Sequence, residues 1–203
     1  MTALERARDA AGREDWKKAL ELLLTVWRKK RVPRLAAVIG HVSARLPSGP
    51  IEETNVKARV KVWLKMASRH DSADLGVLLA TPWPRHDQQS LMMMEALAGF
   101  LPDPRIAMTA VGLVTGKCHE SVSSTLVHEV AFRILAQTAD PRTRPLLEED
   151  AARSGSYSWE TRVKPLLVEA LAEMPKEPVP LAADEESILE ELEARFETDL
   201  RGQ

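Results

Sequence analysis

An all-α fold is what this sequence predicts, and three observations carry the prediction. First, Leu and Ala number 26 each among 203 residues, against 16 Val, 5 Ile and 9 aromatics. Helix formers therefore outweigh the β-branched and aromatic residues that strands prefer. Second, apolar residues recur at helical spacing in segment after segment. Third, the helix-opening prolines Pro33, Pro104 and Pro141 lie 71 and 37 residues apart, and a further 37 reaches Pro178. A repeat of about 20 to 50 residues built from helix pairs marks a stacked array.

The elements follow in order. A short helix near 2–11 ends before Gly12 and Asp15. From Asp15 to Lys30, Trp16, Leu20, Leu23, Leu24 and Trp27 form one helical face. Pro33 opens an amphipathic stretch over 34–46, and Leu46-Pro47-Ser48-Gly49-Pro50 stops it. A helix over about 54–69 places Val56, Val60, Trp63, Leu64 and Ala67 on one side. Leu75 to Ala80 is a short helix ended before Pro82 and Pro84. Residues 87–101 and 104–115 are helical, and 121–138 form a longer, strongly apolar helix. Asp140-Pro141 begins another, to about Arg153, and Ser154-Gly155-Ser156 is a loop. Residues 159–173 form one more helix, and 184–200 the last. Counting back about 35 residues from Pro104 lands at His70-Asp71-Ser72, where capping residues stand in for a proline. The chain divides into a helical-repeat domain over 1–174, a stiff proline-bearing connector over 175–183, and an acidic capping or docking helix over 184–203.

The segment Ala131-Phe132-Arg133-Ile134-Leu135-Ala136-Gln137-Thr138-Ala139-Asp140-Pro141-Arg142-Thr143-Arg144-Pro145-Leu146-Leu147 resembles a HEAT-type repeat in its bacterial short form. It has a small-and-leucine helix, an Asp-Pro-Arg turn, and a helix containing Pro-Leu-Leu. Residues 96–105 match the first part and then depart, since Met108 stands where the second proline would be. The first 46 residues lack Asp-Pro-Arg and resemble a tetratricopeptide-type helix pair through Gly12, Trp16, Ala19 and Leu20. The HEAT resemblance covers about 88–173. It implies a right-handed α-solenoid (superhelix) of about five antiparallel helix pairs that binds other macromolecules, and it carries no catalytic residues.

Charge is polarised along the chain. Residues 1–70 hold 16 Lys and Arg against 7 Asp and Glu, whereas 71–203 hold 12 against 23. Residues 184–203 alone carry 8 acidic and 2 basic side chains. Such asymmetry points to partners rather than to fold. The dense basic places are Arg28, Lys29, Lys30 and Arg31 with Arg34, and Lys57, Lys61 and Lys65 at i, i+4, i+8. Solvated helix faces and a helix C-terminus near Lys30 account for both in a bland way. The sharper expectation is a docking surface for an acidic partner. Trp83, between two prolines, and Trp159, after a serine-rich loop, join the candidate partner-binding residues as aromatics of the hot-spot type. Plugs between adjacent helix pairs are the preferred reading of both, since large rings are mostly buried.

Motifs for chemistry fall short. Gly112 to Cys118 has only three residues between its glycines where a phosphate loop needs four, and Cys118 replaces the hydroxyl that would reach Mg²⁺. It reads as a helix ended by Gly116. Cys118, His119, Glu120 and His128 lack the spacing of a zinc site or a metalloprotease helix. No cofactor, metal or catalytic residue is expected. The lone Cys118 cannot form an internal disulfide, and no signal peptide or membrane span is evident, so a cytoplasmic protein is expected. The leading expectation is a non-enzymatic protein–protein interaction scaffold or adaptor. The alternative is a nucleic-acid-binding HEAT-like protein, DNA glycosylase-like, that uses the basic first 70 residues. Self-association of basic and acidic ends is a third.

Overall fold

The computed structural model describes residues 1–84, 86–115 and 125–201, with side chains as far as Phe196. Among these residues there are eleven α-helices and no strand. They are α1 (Ala3–Gly12), α2 (Trp16–Trp27), α3 (Pro33–Ser43), α4 (Val56–Ala67), α5 (Leu75–Ala80) and α6 (Asp87–Leu97). Then come α7 (Pro104–Val114), α8 (Thr125–Thr138), α9 (Arg144–Ala151), α10 (Lys164–Glu173) and α11 (Ala183–Arg201). None of the described helices is long and apolar enough to cross a membrane.

Local chemistry sets the helix starts. Thr2 and Glu5 close a capping box on α1, so two otherwise orphaned backbone N–H groups are satisfied. The carboxylate of Asp15 accepts from the Lys18 N–H at 3.2 Å, and the Asn55 side chain accepts from the Ala58 N–H at 3.1 Å. Pro104 occupies the first turn of α7, where its missing N–H costs nothing.

Two expected helices are shifted, and proline explains both. The helix expected from Pro141 begins only at Arg144, after a turn in which the Thr143 N–H donates to the Asp140 carbonyl at 3.0 Å. A helix opening at Pro141 would need the N–H of residue 145, which is proline. Starting at Arg144 puts Pro145 in the first turn instead. At the equivalent place in α7 stands Met108, which has its N–H, and α7 does open at Pro104. The single helix expected over 159–173 is likewise divided. Trp159–Val163 is a π-turn, in which the Lys164 N–H reaches back to the Trp159 carbonyl, and α10 restarts with Pro165 in its first turn.

Packing gives two apolar clusters. One is built by α4 to α10, around Trp63, Leu75, Met94, Ile106, Phe132, Leu135 and Leu167. The other joins α1, α2 and α3, through Leu4, Leu20, Leu23, Trp27, Leu35 and Ile39, to Ile188, Leu189, Leu192 and Phe196 of α11. Helix α1 packs on α2, α2 on α3, α3 on α7 and α7 on α8, while α8 also meets α6 and α10. The last helix makes the longest return along the chain, since it lies against α1 and α3. The two clusters are tied by Trp27, whose indole N–H donates to the Pro102 carbonyl at 2.6 Å.

Two Asp-Pro-Arg turns share one pattern of contacts. The carboxylate of Asp103 accepts from the Arg105 backbone N–H at 3.0 Å, from its Nε at 2.9 Å and from its Nη2 at 2.6 Å. Asp140 and Arg142 repeat this pattern at 3.0, 3.0 and 2.6 Å. Asp71 makes the same backbone turn, accepting from the Ala73 N–H at 3.0 Å. With alanine in place of arginine there, its second oxygen pairs with Lys17 at 2.6 Å instead. Arg105 also reaches Ser43 Oγ at 2.7 Å and the Ser72 carbonyl at 2.8 Å, fastening its turn to those before it.

Candidate functional site

The basic residues of the first third divide into two groups. Lys30 and Arg34 flank the start of α3 and are taken up by α11. The Lys30 ammonium pairs with Glu185, and the Arg34 guanidinium spans Glu193 at 2.7 Å, Glu190 at 3.1 Å and Glu186 at 3.4 Å. On α1, Arg8 meets Glu191 at 3.1 Å. These contacts raise the Arg34 pKa above its ordinary value, chiefly through the Glu193 hydrogen bond. The hydrogen bond from Lys30, then the Ala182 N–H, hold the Glu185 carboxyl below its usual range.

Apolar contacts complete this interface. Phe196 is buried, stacked on His41 with centroids 5.5 Å apart and tilted against Trp16 at 6.0 Å. The Arg45 guanidinium lies 5.9 Å from the Trp16 ring and 5.8 Å from the Phe196 ring. Much of the acidic tail that the sequence marks as a charge extreme thus answers the basic end of its own chain.

The second group stays uncompensated. Lys57, Lys61 and Lys65 on α4 are exposed and form no ion pair among the described residues. Val60, Trp63 and Ala67 on the opposite side of α4 are buried, and Trp63 donates to the Leu78 carbonyl at 2.9 Å. This burial fixes the helix rotation, so the lysines share the solvent face with Val62, which is 45% exposed. Arg28 and Lys29, just past α2, are exposed. Arg31 is half-buried, and burial lowers its pKa.

The two candidate tryptophans are less open than free contact residues. Trp83 packs edge-on to Trp63, with centroids 6.3 Å apart. Trp159 packs against the α4–α10 cluster and fills the space beside Gly155, where a Cβ would come within 2.2 Å of its ring. Both indole nitrogens are buried without a hydrogen-bond partner among the described residues.

A cleft of about 210 Å³ lies between α8 and α10, with Phe132, Ala136, Leu166 and Ala170 on its walls and Glu129, Arg133, Glu169 and Glu173 around them. Sequence reasoning missed it, because its charges look like ordinary exposed positions of two separate helices. Of the metal-like cluster, Cys118, His119 and Glu120 lie outside the described residues, as does the Gly116 helix end. His128 lies on α8 with its ring tilted against Phe132. No group of three or more His, Cys, Asp or Glu suited to a metal ion occurs among the described residues. No protein-family model, curated protein or solved structure matches the chain.

Proposed function

We propose that this chain is a non-catalytic scaffold of the α-solenoid type, a right-handed stack of antiparallel helix pairs, which binds the acidic surface of another protein through α4. The observation that carries the proposal is the division of basic residues. Lys30 and Arg34 are neutralised by α11, whereas Lys57, Lys61 and Lys65 face solvent beside Val62. Cations next to an exposed apolar side chain combine charge steering with burial on contact. The matching Asp-Pro-Arg turns support the repeat part of this reading.

The experiment compares wild type with the K57E/K61E/K65E variant in cross-linking capture from native lysate. Wild type is expected to retain a protein that the variant loses, at unchanged melting temperature. Equal capture by the two would refute α4 as the surface.

The same lysine stripe supports a second reading, a nucleic-acid-binding HEAT-like protein. It requires retention in a low-salt gel shift that weakens steeply as salt rises. The packing of Trp83 and Trp159 against the core weighs against a glycosylase-like form, which needs exposed aromatics.

A further inference from the structure

The surface that α11 covers differs from α4 and has its own chemistry. Three features of it belong together. The ion pairs of Glu185, Glu186, Glu190, Glu191 and Glu193 all go to Arg8, Lys30 and Arg34. The apolar anchors Ile188, Leu189, Leu192 and Phe196 enter the cluster of α1 to α3 and no other. Residues 175–180 of the connector are exposed and make no hydrogen bond to the rest of the chain among the described residues. A helix held this way is a ligand on a tether: an amphipathic helix laid in a groove, with charges at its rim.

We infer that the groove of α1 and α3 is a receptor for acidic amphipathic helices, which α11 fills in cis and which a partner protein's helix of the same pattern enters by exchange. Charge complementarity sets the partner's chemistry. Three cations line the rim, so the incoming helix carries carboxylates along one side. The pocket formed by Trp16, His41 and Arg45 takes an aromatic side chain. The tether gives α11 a local concentration of about a millimolar, so a competitor must bind tightly or meet a chain whose connector has been cut.

The test uses the full chain with a specific protease site inserted in the connector. A labelled synthetic peptide of residues 183–201 is added, and binding is followed by fluorescence anisotropy before and after cleavage. Cleaved chains are expected to keep their two pieces together at low salt and to exchange α11 for the peptide. Uncut chains should bind the peptide on the order of 100-fold more weakly. Raising salt from about 0.05 M to about 0.5 M should loosen the peptide on the order of tenfold. Arg34→Glu should abolish uptake, and a peptide carrying Glu190→Arg and Glu193→Arg should restore it. Three results would overturn the inference. One is precipitation on cleavage, which would make α11 a fixed part of the core. Another is peptide uptake indifferent to the charge swap. The last is a dimer of the uncut chain that Arg34→Glu dissolves, which would give the groove to a second copy.

Discussion

Replacing Asp103 and Asp140 by alanine should cost unequal amounts, although the two turns are chemically alike. In the first turn the Asp103 side chain is 1% exposed and that of Arg105 9%. Removing the carboxylate leaves a guanidinium out of water, with only Ser43 Oγ and the Ser72 carbonyl as neutral acceptors. Breaking one side of such a buried pair costs about 3–5 kcal/mol. In the second turn Asp140 is fully buried, but Arg142 is 31% exposed and can turn to water. The loss there is the backbone turn bond and a part-screened pair, about 1–2 kcal/mol. Urea unfolding followed by circular dichroism measures both. Asp103→Asn keeps an acceptor for the Arg105 N–H, so it should recover about 1 kcal/mol of the loss. A double-mutant cycle with Arg105→Ala should give a coupling of about 2 kcal/mol or more, and the Asp140–Arg142 cycle should give less. Equal losses at the two sites, or a larger one at Asp140, would refute the claim that burial of the arginine sets the cost.

Other expectations follow from single contacts. Gly155→Ala would press a Cβ to within 2.2 Å of the Trp159 ring and 2.8 Å of its own Cβ, so it should destabilise by about 1–3 kcal/mol and shift the tryptophan fluorescence. Gly99→Ala, whose neighbour is the exposed and rotatable His70 ring, should cost clearly less in the same melts. Glu14 is exposed with φ 60°, so Glu14→Gly should raise stability by about 0.5–1 kcal/mol, measured by thermal melting. Lys30 and the Ala182 N–H hold Glu185 below the ordinary glutamate value of 4.5, so its stabilising contribution is complete above that pH and fades as pH falls through the lowered value. Lys30→Met should shrink this acid-side loss, read as melting temperature against pH.

The sequence makes the helices legible because a helix depends on its own residues and near neighbours. The periodicity and punctuation of α2, α4 and α5 locate them to within two or three residues of their observed ends. Pairing across the chain is a different matter. The stripe Ile188, Leu189, Leu192 and Phe196 announces that α11 needs a neighbour, but nothing local says that α1 and α3 supply it. The opposite charges of the two ends are the available signal, and they also suit a protein partner, a nucleic acid or a second copy, in that order of preference. The late start of α9 was readable in principle, since Pro145 forbids the earlier one. The half-buried state of Trp83 depends on its edge contact with Trp63, which sequence spacing does not encode.

The embrace of the first helices by the last has a consequence for how the molecule is made. Synthesis proceeds from the N-terminus, and segments emerging early generally fold first. Here α1, α2 and α3 are made long before α11, yet Leu35, Ile39 and their neighbours await Leu189 and Phe196. The middle of the chain can complete its oily interior while the opening segment still waits for its cover. Residues made well before α11 are thus sheltered only after it, and a product stalled or cut short of α11 would display a basic, greasy trough to whatever helix came by.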